Sequence, residues 1–308
     1  MARVFVSRRL PGAALDRLAA EHDVDLWPDE QPPTDAELRA HTADAEGLLS
    51  LLTDRVDESL LTAAPKLRVI SNYAVGVDNI DLKATAARGI PVGHTPDVLT
   101  DATADLAFAL LLAAARNLPQ AIAAARAGSG DWAPGEHLGH SVHGRTLGII
   151  GFGRIGRAVA ERAAGFEMEV LAHSTSSGVS LDELLERSDF VSLHCPLTEQ
   201  TRHLIDARAL ELMKANAILI NTARGPIVDQ VALAAALHDG AIAGAGLDVT
   251  DPEPLPPDDP LWNAPNLIVL PHIGSATHTA REQMAEIAVD NLLAGLAGEP
   301  LPHQAEGP

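Results

Sequence analysis

Residues Thr146–Gly165 read TLGIIGFGRIGRAVAERAAG: an apolar run, then Gly151-x-Gly153-x-x-Gly156, then a stretch with helical spacing. The order of strand, glycine turn and helix gives these glycines their meaning. The first permits a tight turn, the second lets the backbone come close to a pyrophosphate, and the third lets helix and strand pack closely. The new helix offers its unpaired N–H groups and the positive end of its dipole to the same anion. A bare GxGxxG carries little weight. Set between an apolar strand and a helix, it predicts a dinucleotide-binding unit.

Working outward, short aliphatic runs alternate with helical patterns in both directions. Strands are expected near Arg3–Val6, Val24–Leu26, Gly47–Leu52, Leu67–Ser71 and Ile90–Val92. A second series is expected near Thr146–Ile150, Met168–His173, Phe190–His194, Ala217–Asn221, Gly244–Val249 and Leu267–Leu270. Such alternation implies an α/β fold with two doubly wound parallel sheets, helices on both faces. Between the two series, the stretch from Asp101 reads as one long helix ended by Gly128 and Gly130. The last helix, about Thr277 to Ala297, places Met284, Ile287, Ala288 and Leu292 on one face and stops at Gly298. It has no partner after the second series and is expected to return to the first domain.

Composition bounds the function. The 308 residues are 46% hydrophobic and 21% charged, an ordinary globular balance with room for two domains. Aromatics are only 3%, so the core is expected to be built from small aliphatic side chains. A formal net charge of −20 repels polyanions and argues against a nucleic-acid partner. The single cysteine, Cys195, excludes an intrachain disulfide and is expected as a small buried residue at a strand end. LAFALLLAAA, from Leu106, is about half a membrane span, and no targeting signal is visible, so a soluble cytoplasmic protein without a membrane partner is expected. His137, His140 and His143 recur every three residues beside only one carboxylate, Glu136, and no cysteine, so no metal site is expected. Ser174–Ser177 offers no nucleophile elbow, which leaves hydrolase chemistry without support.

Three polar residues follow three successive late strands. Arg224 comes in TARGP after AILIN, Glu253 in TDPEP after AGAGLDV, and His272 in PHIGSAT after NLIVL. Ligands of open α/β sheets sit beyond the carboxyl ends of the strands, so the three are expected to converge. Hydride transfer to a ketone needs a proton donor, which histidine suits. A carboxylate beside it would orient the imidazole and favour its charged form, and an arginine can grip a substrate carboxylate with two hydrogen bonds. The prolines of DPEPLPP restrict the loop that carries Glu253. Singly, each residue has an ordinary structural explanation; together, beside a dinucleotide turn, they form a reductase set. The strand after the glycine turn ends in His173-Ser174-Thr175 without the usual ribose-gripping carboxylate, so NADP is preferred over NAD as cofactor.

These stretches resemble the D-isomer-specific 2-hydroxyacid dehydrogenases, and within them the glyoxylate and hydroxypyruvate reductases. The resemblance spans nearly the whole chain, through LLSLLTDRVD (48–57), SNYAVGVDNID (71–81), GIPVGHTPDVLTDATADLAFALLLAAAR (89–116), GFGRIG, HCPLTEQTRHLI, NTARGPIVD, GLDVTDPEP and PHIGSAT. It implies a flavodoxin-like substrate domain of residues 1–98 plus 276–308 and a Rossmann domain of residues 99–275. It also implies a homodimer through the Rossmann domain, with substrate in the cleft between domains. Arg224 would bind the substrate carboxylate and carbonyl, Glu253 would pair with His272, and His272 would be the acid/base. Backbone amides of Val75 and Gly76 would hold the carboxylate, and Leu51 and Leu52 would face the substrate side chain.

For the cofactor, the resemblance places Arg154 and Ile155 with the three glycines at the pyrophosphate. Ser174 would stand where many members have the ribose-binding aspartate, and Asp248 would meet the carboxamide. Thr103, Pro196, Thr201, Thr222 and Ala223 would line the same channel, with His272 and Gly274 beside it. NADP-preferring relatives often show serine followed by arginine, and here Thr175 replaces that arginine. The expected reaction is reduction of a small 2-oxo acid to the D-hydroxy acid. Other readings are a dehydrogenase for a bulkier or phosphorylated acid, or a dinucleotide-sensing, corepressor-like interaction protein. The regulatory extension of many phosphoglycerate dehydrogenases does not follow Pro308, and the intact Arg, Glu and His set favours an enzyme.

Overall fold

The computed structural model describes residues 1–129, 133–174 and 178–306. The chain divides into two compact units, Met1–Leu99 with Ser275–Pro308, and Thr100–Gly274. In the first unit, β1 (Arg3–Val6), α1 (Ala14–Glu21), β2 (Asp23–Leu26), α2 (Asp35–Thr42), β3 (Gly47–Ser50), α3 (Glu58–Ala63), β4 (Val69–Asn72), α4 (Leu82–Ala87) and β5 (Val92–Gly93) alternate. The strands form one parallel sheet in the order β2-β1-β3-β4-β5, the flavodoxin-like order. β1, β3 and β4 are almost wholly buried, as expected of parallel strands covered on both faces.

The second unit contains α5 (Thr100–Ala115), α6 (Leu118–Arg126), β6 (Thr146–Ile150), α7 (Arg154–Ala164), β7 (Glu169–His173), α8 (Leu181–Arg187), β8 (Phe190–Leu193), α9 (Ala207–Leu212), β9 (Ile218–Asn221), α10 (Gln230–His238), β10 (Gly244–Leu247) and β11 (Leu267–Val269). Its sheet is also parallel, ordered β11-β10-β9-β8-β6-β7. The direction of winding reverses between β6 and β8, and that switch point is where the glycine turn leaves β6. Two aliphatic clusters fill the faces, one around Leu193, Leu219 and Leu247, the other around Leu111, Ile149 and Ile220.

After β11 the chain enters α11 (His278–Ala297), capped by the Thr277 side chain and ended by Gly298 at φ 79°. Its buried face, with Met284, Ala288 and Leu292, packs on β3, β4 and α1, so this helix completes the first unit. Gly295 is required there: a Cβ at that position would come within 2.4 Å of Val69 Cγ2.

One expected element is corrected. The long helix from Asp101 is two helices, bent by 63° at Arg116-Asn117. Pro119, in the first turn of α6, has no N–H and its ring would clash with the carbonyl of a continuing helix. Asn117 takes the left-handed conformation at φ 49°, and its Nδ2 donates to Leu138 O at 2.7 Å. α6 ends at Arg126, before Gly128; Gly130 lies outside the described residues. Among the described residues no single helix is long and apolar enough to cross a membrane, and α5 is largely buried in the second unit. Strand ends also retreat: β3 stops at Ser50, which puts Leu51 and Leu52 in the following loop.

Candidate active site

The three glycines of the turn do three different things. Gly151 sits at φ +94°, and a Cβ there would come within 2.4 Å of Cys195 N, so the turn presses against the chain leaving β8. A Cβ on Gly156 would come within 2.2 Å of Gly151 O and 3.1 Å of Ile149 Cγ2, which fixes how closely α7 approaches β6. Gly153, the N-cap of α7, has no atom within 4 Å of its would-be Cβ. That open cradle lies at the first turn of an 11-residue helix, with Arg154 exposed beside it. Unpaired N–H groups, dipole and bare backbone fit the phosphates of a dinucleotide.

The switch point carries a further residue, one without a role in the sequence-based expectations. His194 follows β8, with Nε2 2.8 Å from Ser192 Oγ and Nδ1 3.5 Å from Thr222 Oγ1. Burial pushes its pKa down to about 4, so the ring is neutral between its two hydroxyl partners. Part of its surface stays accessible, but the packing around the ring dominates. The period of two along β8 places Ser192 and His194 on one side, a readable signal. The approach of Thr222, from the next strand of the sheet, is not readable. Beside it, burial raises the Cys195 thiol to about 11, which makes this a packing residue and not a nucleophile.

The loops bearing the three polar residues lie side by side, because β9, β10 and β11 are neighbours in the sheet. Arg224 follows β9 in a turn fixed by Asn221, whose side chain donates to Arg224 O at 2.9 Å and accepts from Ala223 N at 3.0 Å. The Arg224 Nη1 group donates to Ala223 O at 2.8 Å. Gly225 then passes so near the chain after β10 that a Cβ would come within 2.0 Å of Thr250 O. The proline-rich loop starts at that contact. Thr250 Oγ1 donates to Pro252 O, and Gln230 at the start of α10 bonds both the O and N of Asp251, at 2.6 and 2.7 Å. Asp251-Pro252 and Glu253-Pro254 are both cis peptides.

Glu253, so held, reaches His272: Oε1 and Nδ1 stand 2.6 Å apart, with both side chains partly exposed. A carboxylate only accepts, so Nδ1 carries the hydrogen and Nε2 is left to exchange a proton. His272 has φ 56°, unusual for a residue with a side chain, and the loop is pinned in that shape by Asp248. Asp248 O accepts from His272 N at 2.9 Å, and its two carboxylate oxygens accept from Ile273 N and Gly274 N at 2.7 Å each. Asp248 is 1% exposed; burial pushes its pKa up, while the amide bonds and the charge of His272 oppose the rise. A Cβ on Gly274 would come within 3.2 Å of Asp248 Oδ2 and 3.4 Å of Thr103 Oγ1, so Thr103, Asp248 and Gly274 form one cluster.

The remaining expected residues divide by unit. Pro196 and Thr201 share a loop after β8, where Thr201 Oγ1 donates to Pro196 O at 2.7 Å. Thr222 and Ala223 are nearly buried at the end of β9. Ser174 directly follows β7; Thr175 lies outside the described residues. Leu51 and Leu52, and Val75 and Gly76, belong to the first unit, in the loops after β3 and β4. The carbonyl of Val75 pairs with His94 Nδ1 at 2.9 Å and that of Gly76 accepts from Asn72 Nδ2 at 2.9 Å.

Residues 108–274 match the family model of the D-isomer specific 2-hydroxyacid dehydrogenase, NAD binding domain. The chain is 50% identical over 310 residues to a glyoxylate reductase of Korarchaeum cryptofilum, covering 96% of this chain and 93% of that protein. Its structure superposes with TM-score 0.94 on a protein from Thermus thermophilus, at 50% identity over 99% of this chain and all of that one. The TM-score is 0.86, at 33% identity, with an NADPH-dependent glyoxylate/hydroxypyruvate reductase from Sinorhizobium meliloti in complex with NADP and malonate, covering 99% and 96% of the two chains.

Proposed function

The chain belongs to the D-isomer-specific 2-hydroxyacid dehydrogenases, NAD(P)-dependent oxidoreductases acting on the CH–OH group, and from that premise we propose that it reduces glyoxylate or hydroxypyruvate to the D-hydroxy acid. The observation that carries the mechanism is the 2.6 Å contact of Glu253 with His272, beside the loop of Arg224. The nicotinamide, when bound, supplies the hydride to C2 of the 2-oxo acid. His272 Nε2 delivers the proton to the carbonyl oxygen as negative charge develops there. Glu253 orients the ring and compensates its charge, and Asp248 holds the loop that presents it. Arg224 clamps the substrate carboxylate with its two-pronged guanidinium and polarises the carbonyl. The backbone amides of Val75 and Gly76 are proposed to meet the same carboxylate, and Leu51 and Leu52 the substrate side chain.

Two finer assignments belong to this reading. NADPH is the proposed cofactor, because β7 ends without the carboxylate that would repel a 2′-phosphate. A homodimer through the second unit is supported by α6, which buries none of its own residues. Leu118 and Ile122, four apart on that helix, are 44% and 50% exposed, and Leu138 is 71% exposed.

A panel of 2-oxo acids assayed with NADPH and with NADH tests the proposal. Turnover of glyoxylate or hydroxypyruvate with a higher kcat/KM for NADPH is expected; cofactor binding without turnover would favour a sensor instead. His272→Asn should lower kcat by about 10²–10⁴-fold, the range for loss of a general acid. Near-parental turnover would remove the histidine from the mechanism. Arg224→Ala should raise KM and lower kcat together.

A further inference from the structure

In the first unit a cavity of about 420 Å³ opens between the loop after β1 and the start of α11. Arg8, Arg9 and Arg281 line it, with His278, Tyr73 and Leu51, and none of its lining residues is acidic. This is unusual in a chain of net charge −20. Several other arginines of this unit are matched: Arg17 with Glu286 and Asp290, Arg68 with Glu46, Arg88 with Glu58. Here two guanidinium atoms, Arg8 Nη1 and Arg281 Nε, are buried with no hydrogen-bond partner. A buried charged donor left unmatched is costly, and three like charges around one hollow add mutual repulsion. An anionic ligand would remove both costs.

The site is also built. Tyr73 OH donates to Arg281 O at 2.7 Å, and the Arg281 guanidinium lies 5.9 Å from the centroid of the Tyr73 ring. The end of α11 at the cavity is capped by Thr277, and this 20-residue helix adds the positive end of its dipole. Asp54, the carboxylate that feels the charge of Arg8, is engaged already: it accepts from Ser7 Oγ and from Leu51 N, the latter at 2.7 Å. We propose that Arg8, Arg9 and Arg281 form a binding site for a compact oxyanion, the carboxylate or phosphate group of a small molecule. The site stands on the first unit alone and goes beyond the reductase reading. Its ligand is either the distal anionic group of an extended 2-oxo acid or a separate anion.

The test is calorimetric titration of inorganic phosphate into the full-length protein at low ionic strength, with the dinucleotide site saturated by NADP⁺ and chloride as the control. One saturable phosphate per chain is expected, weakened at least tenfold in Arg8→Gln and in Arg281→Gln. Arg9→Gln, at an exposed position with little bearing on folding, should weaken it as well. Competitive inhibition of 2-oxo acid reduction by phosphate would assign the site to the distal end of the substrate; non-competitive inhibition, or none, would assign it to a separate anion. No saturable binding beyond chloride, or binding unchanged in all three variants, overturns the proposal. Glyoxylate turnover without phosphate binding would sink this site alone, and phosphate binding without turnover the reductase reading alone.

Discussion

His272 shows how one residue is made chemical by its neighbours. Its backbone is held at positive φ by three bonds to Asp248, and its ring is aimed by Glu253. Glu253→Gln keeps the shape of the side chain but removes the charge. It should lower kcat by tenfold or more, ~1.4 kcal/mol. An unchanged kcat would return Glu253 to the role of a loop residue. His194 makes a different prediction. Its folded pKa of about 4 lies below the unfolded value near 6.5, so the unfolded chain binds the extra proton first. Its contribution to stability is complete above about pH 6.5 and is lost as pH falls toward 4. The full shift would carry roughly 3 kcal/mol, and the accessible part of the ring reduces that. Urea midpoints at pH 7.5 and pH 5 should converge in His194→Asn relative to the parent; an equal drop in both would exclude the linkage. Arg224, Glu253 and His272 were legible in the sequence because each lies in the loop that follows an apolar strand. For His194, which directly follows β8, the placement beside Ser192 was legible, but the approach of Thr222 from another strand was not. The Arg8 and Arg281 pair is 273 residues apart, beyond any local pattern.

At the scale of elements, all eleven strands lie where short aliphatic runs are punctuated by glycine, proline or acid, with ends shifted by a residue or two. Periodicity failed at the α5–α6 junction, because Arg116-Asn117-Leu118-Pro119 keeps a helical spacing of apolar residues while its backbone chemistry forbids continuation. The glycine turn gives the sharpest test of this scale. Gly151→Ala collides with Cys195 N and should lower the thermal midpoint itself. Gly153→Ala meets nothing and its φ of −81° suits alanine, so the fold should be unaffected. Its methyl would enter the phosphate cradle and raise the cofactor Kd roughly tenfold or more, ~1.4 kcal/mol. A Gly153→Ala protein that binds cofactor as tightly as the parent would place the pyrophosphate elsewhere.

At the scale of the whole molecule, the chain builds one sheet, then a second, and returns with α11 to finish the first. The proposed homodimer would use the exposed stripe of α6. Leu118→Glu with Ile122→Glu should convert a dimer to a monomer in sedimentation equilibrium without loss of far-UV circular dichroism; a double variant that remains dimeric would put the interface on another face. By itself the sequence determined the α/β class, the dinucleotide turn, the three strand-end residues and the family, because each is written in local periodicity, in residue type at a strand end or in the order of motifs. Tertiary structure alone decided that Asp248 clasps the His272 loop, that His194 is neutral between Ser192 and Thr222, and that three arginines share one hollow. Those outcomes depend on burial and on contacts between residues far apart in the chain, and dielectric and distance are properties of the folded molecule that no local pattern encodes.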